Sequence, residues 1–168
     1  MVQLAGLRRK HAEFMSSLDG LRRTADDMEA GSSLDLWDRL TGSVSFLTQD
    51  LLPFTYVEDE ILYPALVAAA ETSTPIDILR AHQLTLAQLT DELDAVRRAL
   101  PMGCDKSTWA KLRRILYSLY AIGRLHFTVE DDVVLPLLES DLDDHEAEQI
   151  EAAIRAVAHN SVLSLAYG

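Results

Sequence analysis

Sulfur is nearly absent from this chain. Cys104 is the single cysteine among 168 residues, so no internal disulfide can form, and no thiolate metal site can be assembled from one sulfur. Such usage fits a reducing interior. Positive charge is scarce as well: 15 Lys and Arg against 27 Asp and Glu give a formal net charge of -12. That excess repels phosphate backbones and anionic lipid surfaces, so neither nucleic acid nor membrane is an expected partner. The longest uncharged apolar run, Ile61 to Ala70, falls well short of the ~20 residues that a spanning helix requires. The glycines are scattered singly, which leaves no phosphate-cradling loop, and no acyl-transfer triad is evident. The reading is a soluble, cytoplasmic protein.

What is present is apolar material in helical register. Nearly half the residues are hydrophobic, enough for the core of one domain over 1–168. Leu4, Leu7, His11, Phe14, Leu18, Leu21, Ala25 and Met28 follow three-four spacing and predict a first helix, ended by Gly31. Ser32 and Ser33 offer a cap for a second, with the stripe Leu40, Val44, Leu47, Leu51, Phe54, Glu58, Ile61, Ala65 and Ala69. Pro53 falls inside it and removes a backbone donor, so a kink or bulge is expected just before it. Thr74 and Pro75 start a third helix with Ile78, His82, Leu86, Leu89, Leu93, Val96 and Leu100 inward. A fourth, from about Ser107, carries Leu112, Ile115, Leu119, Ile122, His126, Glu130, Val133 and Leu137. Asp143 and Asp144 can begin a shorter fifth helix through about Val157, followed by an apolar tail from Val162 to Tyr167. The pattern predicts an all-α, up-down-up-down four-helix bundle over 1–140. The accessory segment 141–168 is expected to lie on its outside or to make a subunit contact, as in a homodimer.

Five ionisable residues interrupt these oily stripes: His11, Glu58, His82, His126 and Glu130. In an antiparallel bundle the starts of helices one and three share an end with the finishes of helices two and four. At ~1.5 Å of rise per residue, the five positions then fall within roughly one to two turns of one level. Buried carboxylates without partners cost several kcal/mol or take up protons, so two of them facing three imidazoles call for cations. Oxygen and nitrogen donors without sulfur suit iron, manganese or zinc, and two carboxylates suit a dinuclear centre. The Glu-x-x-His pairs of ferritin-like bundles are missing. His126 and Glu130 form His-x-x-x-Glu instead, and the segment from His126 to Pro136 is nearly repeated from Phe54 to Pro64. In the earlier copy Phe54 stands where the histidine would be. His145 and His159 lie outside the stripes and read as surface residues, Asp59, Asp131 and Asp132 as residues that orient ligands or face water, and Tyr63 as packing.

The ordered combination of His11, Glu58 in Glu-Asp-Glu-Ile-Leu-Tyr-Pro, Arg80-Ala81-His82 and His126-x-x-x-Glu130 with Pro136 resembles the hemerythrin-like family of HHE cation-binding domains, and looks most like its mycobacterial members. The similarity spans residues 1 to about 140. It implies an oxo- or hydroxo-bridged pair of iron ions inside the bundle, used on O2, H2O2 or nitric oxide. Carried over, Glu58 and Glu130 bridge the irons, His82 and His126 serve one, and His11 serves the other. The family position at Phe54 cannot ligate. Tyr56 is the candidate replacement, with Thr55, Glu60 and solvent as rivals, although a regular helix turns residue 56 about 200° from 54 and 58. Anionic oxygen donors favour ferric iron, so the expectation is catalase-like or peroxidase-type chemistry on H2O2 or nitric oxide rather than O2 carriage. The alternative is an O2- or iron-sensing module that signals through a partner without turnover.

Overall fold

A computed structural model describes residues 4–28, 33–70, 74–100 and 105–166, and the side chains of 4–28, 35–68, 75–100 and 105–156. The expected caps at Ser32, Ser33 and Thr74, the loop with Cys104, His159 and the apolar tail lie outside those described residues and side chains. The elements are α1 (Ala5–Asp27), α2 (Ser33–Phe46), a π-turn (Leu47–Leu51), α3 (Leu52–Ala70), α4 (Thr74–Ala99), α5 (Lys106–Val129), a second π-turn (Glu130–Val134), α6 (Leu135–Asp141) and α7 (Asp144–Ala166). Each π-turn joins two helices into one rod, so α1, α2–α3, α4 and α5–α6 form the bundle and α7 lies against α3. No strand occurs among the described residues.

Every member of the α1 stripe is buried, from Leu4 to Met28 with His11 among them. Opposite it, a Cβ at Gly123 of α5 would lie 2.8 Å from Leu18 Cδ2. Any larger residue there would force the buried Leu18 side chain to move.

Both π-turns sit immediately before a proline. The Leu52 N–H bonds to the Leu47 carbonyl ahead of Pro53, and the Leu135 N–H bonds to the Glu130 carbonyl ahead of Pro136. One inserted residue moves the carbonyl that a proline ring would strike in a regular helix. The irregularity expected from Pro53 is thus present as a π-turn. The second insertion was not expected, and it overturns part of the fourth stripe: Val133 and Leu137 are exposed at 41 % and 36 %, while Val134 and Leu138 are fully buried. Adding a residue advances the inward face by one position.

Two other expectations are corrected. Ile78 is exposed, and Ile76, Leu79 and Gln83 take the inward face of α4. α7 continues to Ala166 instead of ending near Val157. Its start is a capping box, with the Asp143 N–H donating to Glu146 and the Glu146 N–H donating to Asp143 Oδ1 at 2.8 Å.

α7 also completes α1, whose first residues have no side-chain cap of their own. Glu151 of α7 accepts the Gly6 N–H at 2.6 Å, and Glu139 of α6 accepts the Leu4 N–H at 2.9 Å. These carboxylates satisfy orphan donors and face the positive end of the helix dipole. A Cβ at Gly6 would meet Glu151 Oε2 at 2.7 Å. The first turns of α7, through Glu151, together with Glu139 of α6, therefore anchor the helix that carries His11.

Candidate metal centre

Four rods each bring ionisable side chains to one level. His11 of α1, Glu58 of α3 and Glu130 of the second π-turn are all completely buried, and their donor atoms lie within 4.8 Å of one another. His126, one turn before Glu130, is also fully buried, with Nε2 at 3.5 Å from Glu130 Oε1. His82 of α4 is half-buried beside it, the ring centroids 6.0 Å apart. His11, Glu58 and Glu130 thus form one cluster with His126 beside it, and His82 reaches it only through its contact with the His126 ring.

His11 is held from both sides. Nδ1 lies 2.7 Å from Asp131 Oδ1, and Nε2 lies 2.9 Å from Glu58 Oε1 and 3.6 Å from Glu130 Oε2. Burial alone would lower its pKa, but the hydrogen bonds to Asp131 and Glu58, with the charges of Glu58 and Glu130, outweigh that and raise it to about 10. Without a cation His11 is an imidazolium that donates to both carboxylates. Asp131 fixes the ring and leaves Nε2 aimed at the cluster.

The other donors are disfavoured in their charged forms. Burial, then the charge of Glu58, pushes the Glu130 carboxyl well above its ordinary range, although His11 and the Tyr63 hydrogen bond oppose this. Burial raises Glu58 against the pull of His11. His126 is lowered to about 3 by burial, with the charges of His82 and His11 adding to it, and burial lowers His82 as well. His82 and His126 are therefore neutral imidazoles at neutral pH, the form that binds metal.

Five buried atoms here have no hydrogen-bond partner: Glu58 Oε2, Glu130 Oε2, His82 Nδ1, and both ring nitrogens of His126. Buried polar groups are normally satisfied. Two carboxylates and two imidazoles with partnerless atoms, beside His11, fit one or more hard or borderline cations, with no sulfur donor in the set.

Tyr56 does not join the cluster. Its side chain is 52 % exposed, because the π-turn ends before Leu52 and residues 52–70 are regular α-helix. The irregularity cannot rotate residue 56 relative to Glu58. Thr55 is buried, with its hydroxyl donating to the Leu52 carbonyl, and Glu60 is exposed. Phe54 packs edge-on against the His11 ring at 6.1 Å.

A different tyrosine reaches the site. The Tyr63 hydroxyl donates to Glu130 Oε1 at 2.8 Å and receives a bond from Gln83 Nε2 at 3.3 Å, while Gln83 also holds the Thr55 carbonyl at 2.7 Å. Burial and the carboxylates of Glu130 and Glu58 raise the phenol's pKa, so it stays protonated. Sequence reasoning took Tyr63 as packing. The signal available was that a phenol deep in an apolar helix needs an acceptor. Arg8 was also missed: it donates to the Asp131 carbonyl at 3.0 Å and pairs with Glu139 at 2.9 Å, bracing the residue that orients His11. Asp59, which matches Asp131 in the repeat, accepts from Arg80 at 2.7 Å. His145 is exposed, as expected.

These features define a metal-binding helical bundle. The family model of the hemerythrin HHE cation binding domain matches residues 3–106, and the chain belongs to that family. The match stops short of the expected residue 140, and so excludes α5 and the following π-turn, where His126 and Glu130 lie. A search of curated proteins and one of solved structures gave no match. Among the described residues no helix is long and apolar enough to cross a membrane.

Proposed function

We propose that this chain is a cytoplasmic non-haem di-iron protein that reacts with H2O2 or nitric oxide in a detoxifying role. In this reading Glu58 and Glu130 are shared between two irons, His82 and His126 serve one, and His11 serves the other. The observation that carries it is the set of five partnerless donor atoms around the two buried carboxylates. Bound iron would supply a Lewis acid and redox centre. The chain's own residues do the rest. Asp131 keeps the His11 ring turned so that Nε2 faces inward, Tyr63 and Gln83 hold Glu130, and the apolar shell of Phe14, Phe54 and Phe127 excludes bulk water. Anionic oxygen donors favour ferric iron, which suits peroxide or nitric oxide chemistry better than reversible O2 carriage.

Metal analysis with an ultraviolet-visible spectrum, followed by assays of H2O2 and nitric oxide consumption, tests the proposal. The expected result is about two irons per chain, a visible iron-ligand band, and turnover lost on Glu58→Ala. Protein that binds no iron on anaerobic reconstitution sinks it. The α7 contact with α1 through Glu151 favours a second reading, an O2- or iron-sensing module. Iron-dependent partner binding with no consumption of either substrate would select that reading.

A further inference from the structure

Phe54 separates two environments. On one side its ring meets His11 edge-on at 6.1 Å and Phe14 at 5.0 Å. On the other it lines an open cavity of about 350 Å³ between α1 and α7, with Leu7 and Ile154 as further apolar wall. Within the internal repeat, Phe54 stands where the second copy has His126, so the donor set lacks a side chain on the face that Phe54 covers. The missing donor and the cavity therefore lie on opposite sides of a single ring. Two further cavities, one beside Ile61 and Leu142 and one beside Gly20 and Phe46, include neither a donor nor Phe54.

The rim differs from the rest of the surface. Lys10 pairs with Glu13 at 3.0 Å and Arg155 with Glu151 at 3.2 Å, which leaves Arg9 as the unbalanced charge among the lining residues, on a chain whose formal net charge is -12. Such a nearly balanced mouth repels neither a small neutral ligand nor a small anion, whereas the strongly negative chain as a whole repels anions. Behind Phe54 the space is tight: His11, Glu58, His126 and Glu130 are completely enclosed.

We propose that this cavity is the access route to the metal centre for exogenous ligands of two or three heavy atoms, with Phe54 as its gate. This rests on the di-iron reading. A larger molecule stops in the cavity, whereas peroxide, nitric oxide or azide passes when the phenyl ring swings aside, a rotamer change that needs no opening of the backbone. A gate changes the rates of entry and exit together and leaves the equilibrium untouched, which distinguishes it from a residue that contacts the bound ligand.

The test uses the iron-loaded full chain and azide as probe, followed by stopped-flow absorbance, with iron content and helicity measured for each variant. Phe54→Leu is expected to raise both the association and dissociation rates of azide by about tenfold with Kd unchanged. Ile154→Trp, which fills the cavity from α7 without touching a donor, is expected to lower both rates. Iron-loaded variants with wild-type rates, or a change in Kd at constant association rate, overturn the gate. Wild-type chain that takes up no iron overturns the functional proposal and this inference with it.

Discussion

Removing the metal should cost this protein a large part of its stability. Five buried atoms of Glu58, Glu130, His82 and His126 have no partner among the described residues. An unsatisfied buried polar group costs ~1–3 kcal/mol, so together they are worth on the order of 5–15 kcal/mol, the size of a typical domain's entire stability. Cations coordinated by those lone pairs relieve most of that cost. The lower figure alone is substantial: a chain of this length loses ~2–4 °C in Tm per kcal/mol, so about 5 kcal/mol gives an expected fall of roughly 10–20 °C. Calorimetry on iron-loaded protein and on protein stripped by chelator, with circular dichroism to follow helix content, measures it directly. The metal-free form should keep its helices at low temperature, because the apolar stripes of α1, α4 and α5 do not depend on the site. Melting temperatures that coincide within about 2 °C would refute the argument, since water or protonation would then be satisfying those atoms at no cost.

Two further predictions concern the groups around the donors. Tyr63→Phe keeps the ring and deletes the hydroxyl that donates to Glu130 at 2.8 Å. It should destabilise the protein by about 1.5–3 kcal/mol and weaken iron binding roughly 10–100-fold, read by thermal melts and competition with a chelator. The second is pH dependence of the metal-free form. His11 has its pKa raised from 6.5 to about 10, so its contribution is complete below pH 6.5 and is lost as pH rises through about 10. The raised carboxyls of Glu58 and Glu130 act in the same direction, and the unfolding free energy from urea titrations should fall steadily above pH 6.5, by about 1.4 kcal/mol per pH unit for each proton involved. Iron binding should release the His11 proton near neutral pH, measured with an indicator dye. A flat stability profile from pH 6.5 to 9 would contradict the double clamp on His11.

The bundle could be read from spacing because burial of a helix face leaves a three-four pattern that survives any detail of packing. α1 is the plainest case, with all eight stripe positions buried. The same logic found His11, Glu58, His82, His126 and Glu130, since an ionisable residue in an apolar seam is conspicuous before any coordinates exist. Pattern reading failed where the helix was no longer regular. The π-turn from Glu130 to Val134 moved the seam from Val133 to Val134, and one inserted residue leaves no trace in composition. It failed again at Tyr56, where a vacancy at Phe54 invited the nearest phenol, whereas the regular α3 turns that side chain to solvent.

Most inward positions and their approximate depth, though not Ile78, Val133 or Leu137, were legible in the chain alone, because periodicity and rise per residue are properties of a single helix. Only the tertiary structure decided what meets them there. Asp131 on His11, Tyr63 on Glu130, Gln83 on Tyr63, Glu151 on the start of α1, and Phe54 between the site and a cavity are contacts across rods. Their existence depends on the rotation and offset of one helix against another, which no single stretch of chain encodes.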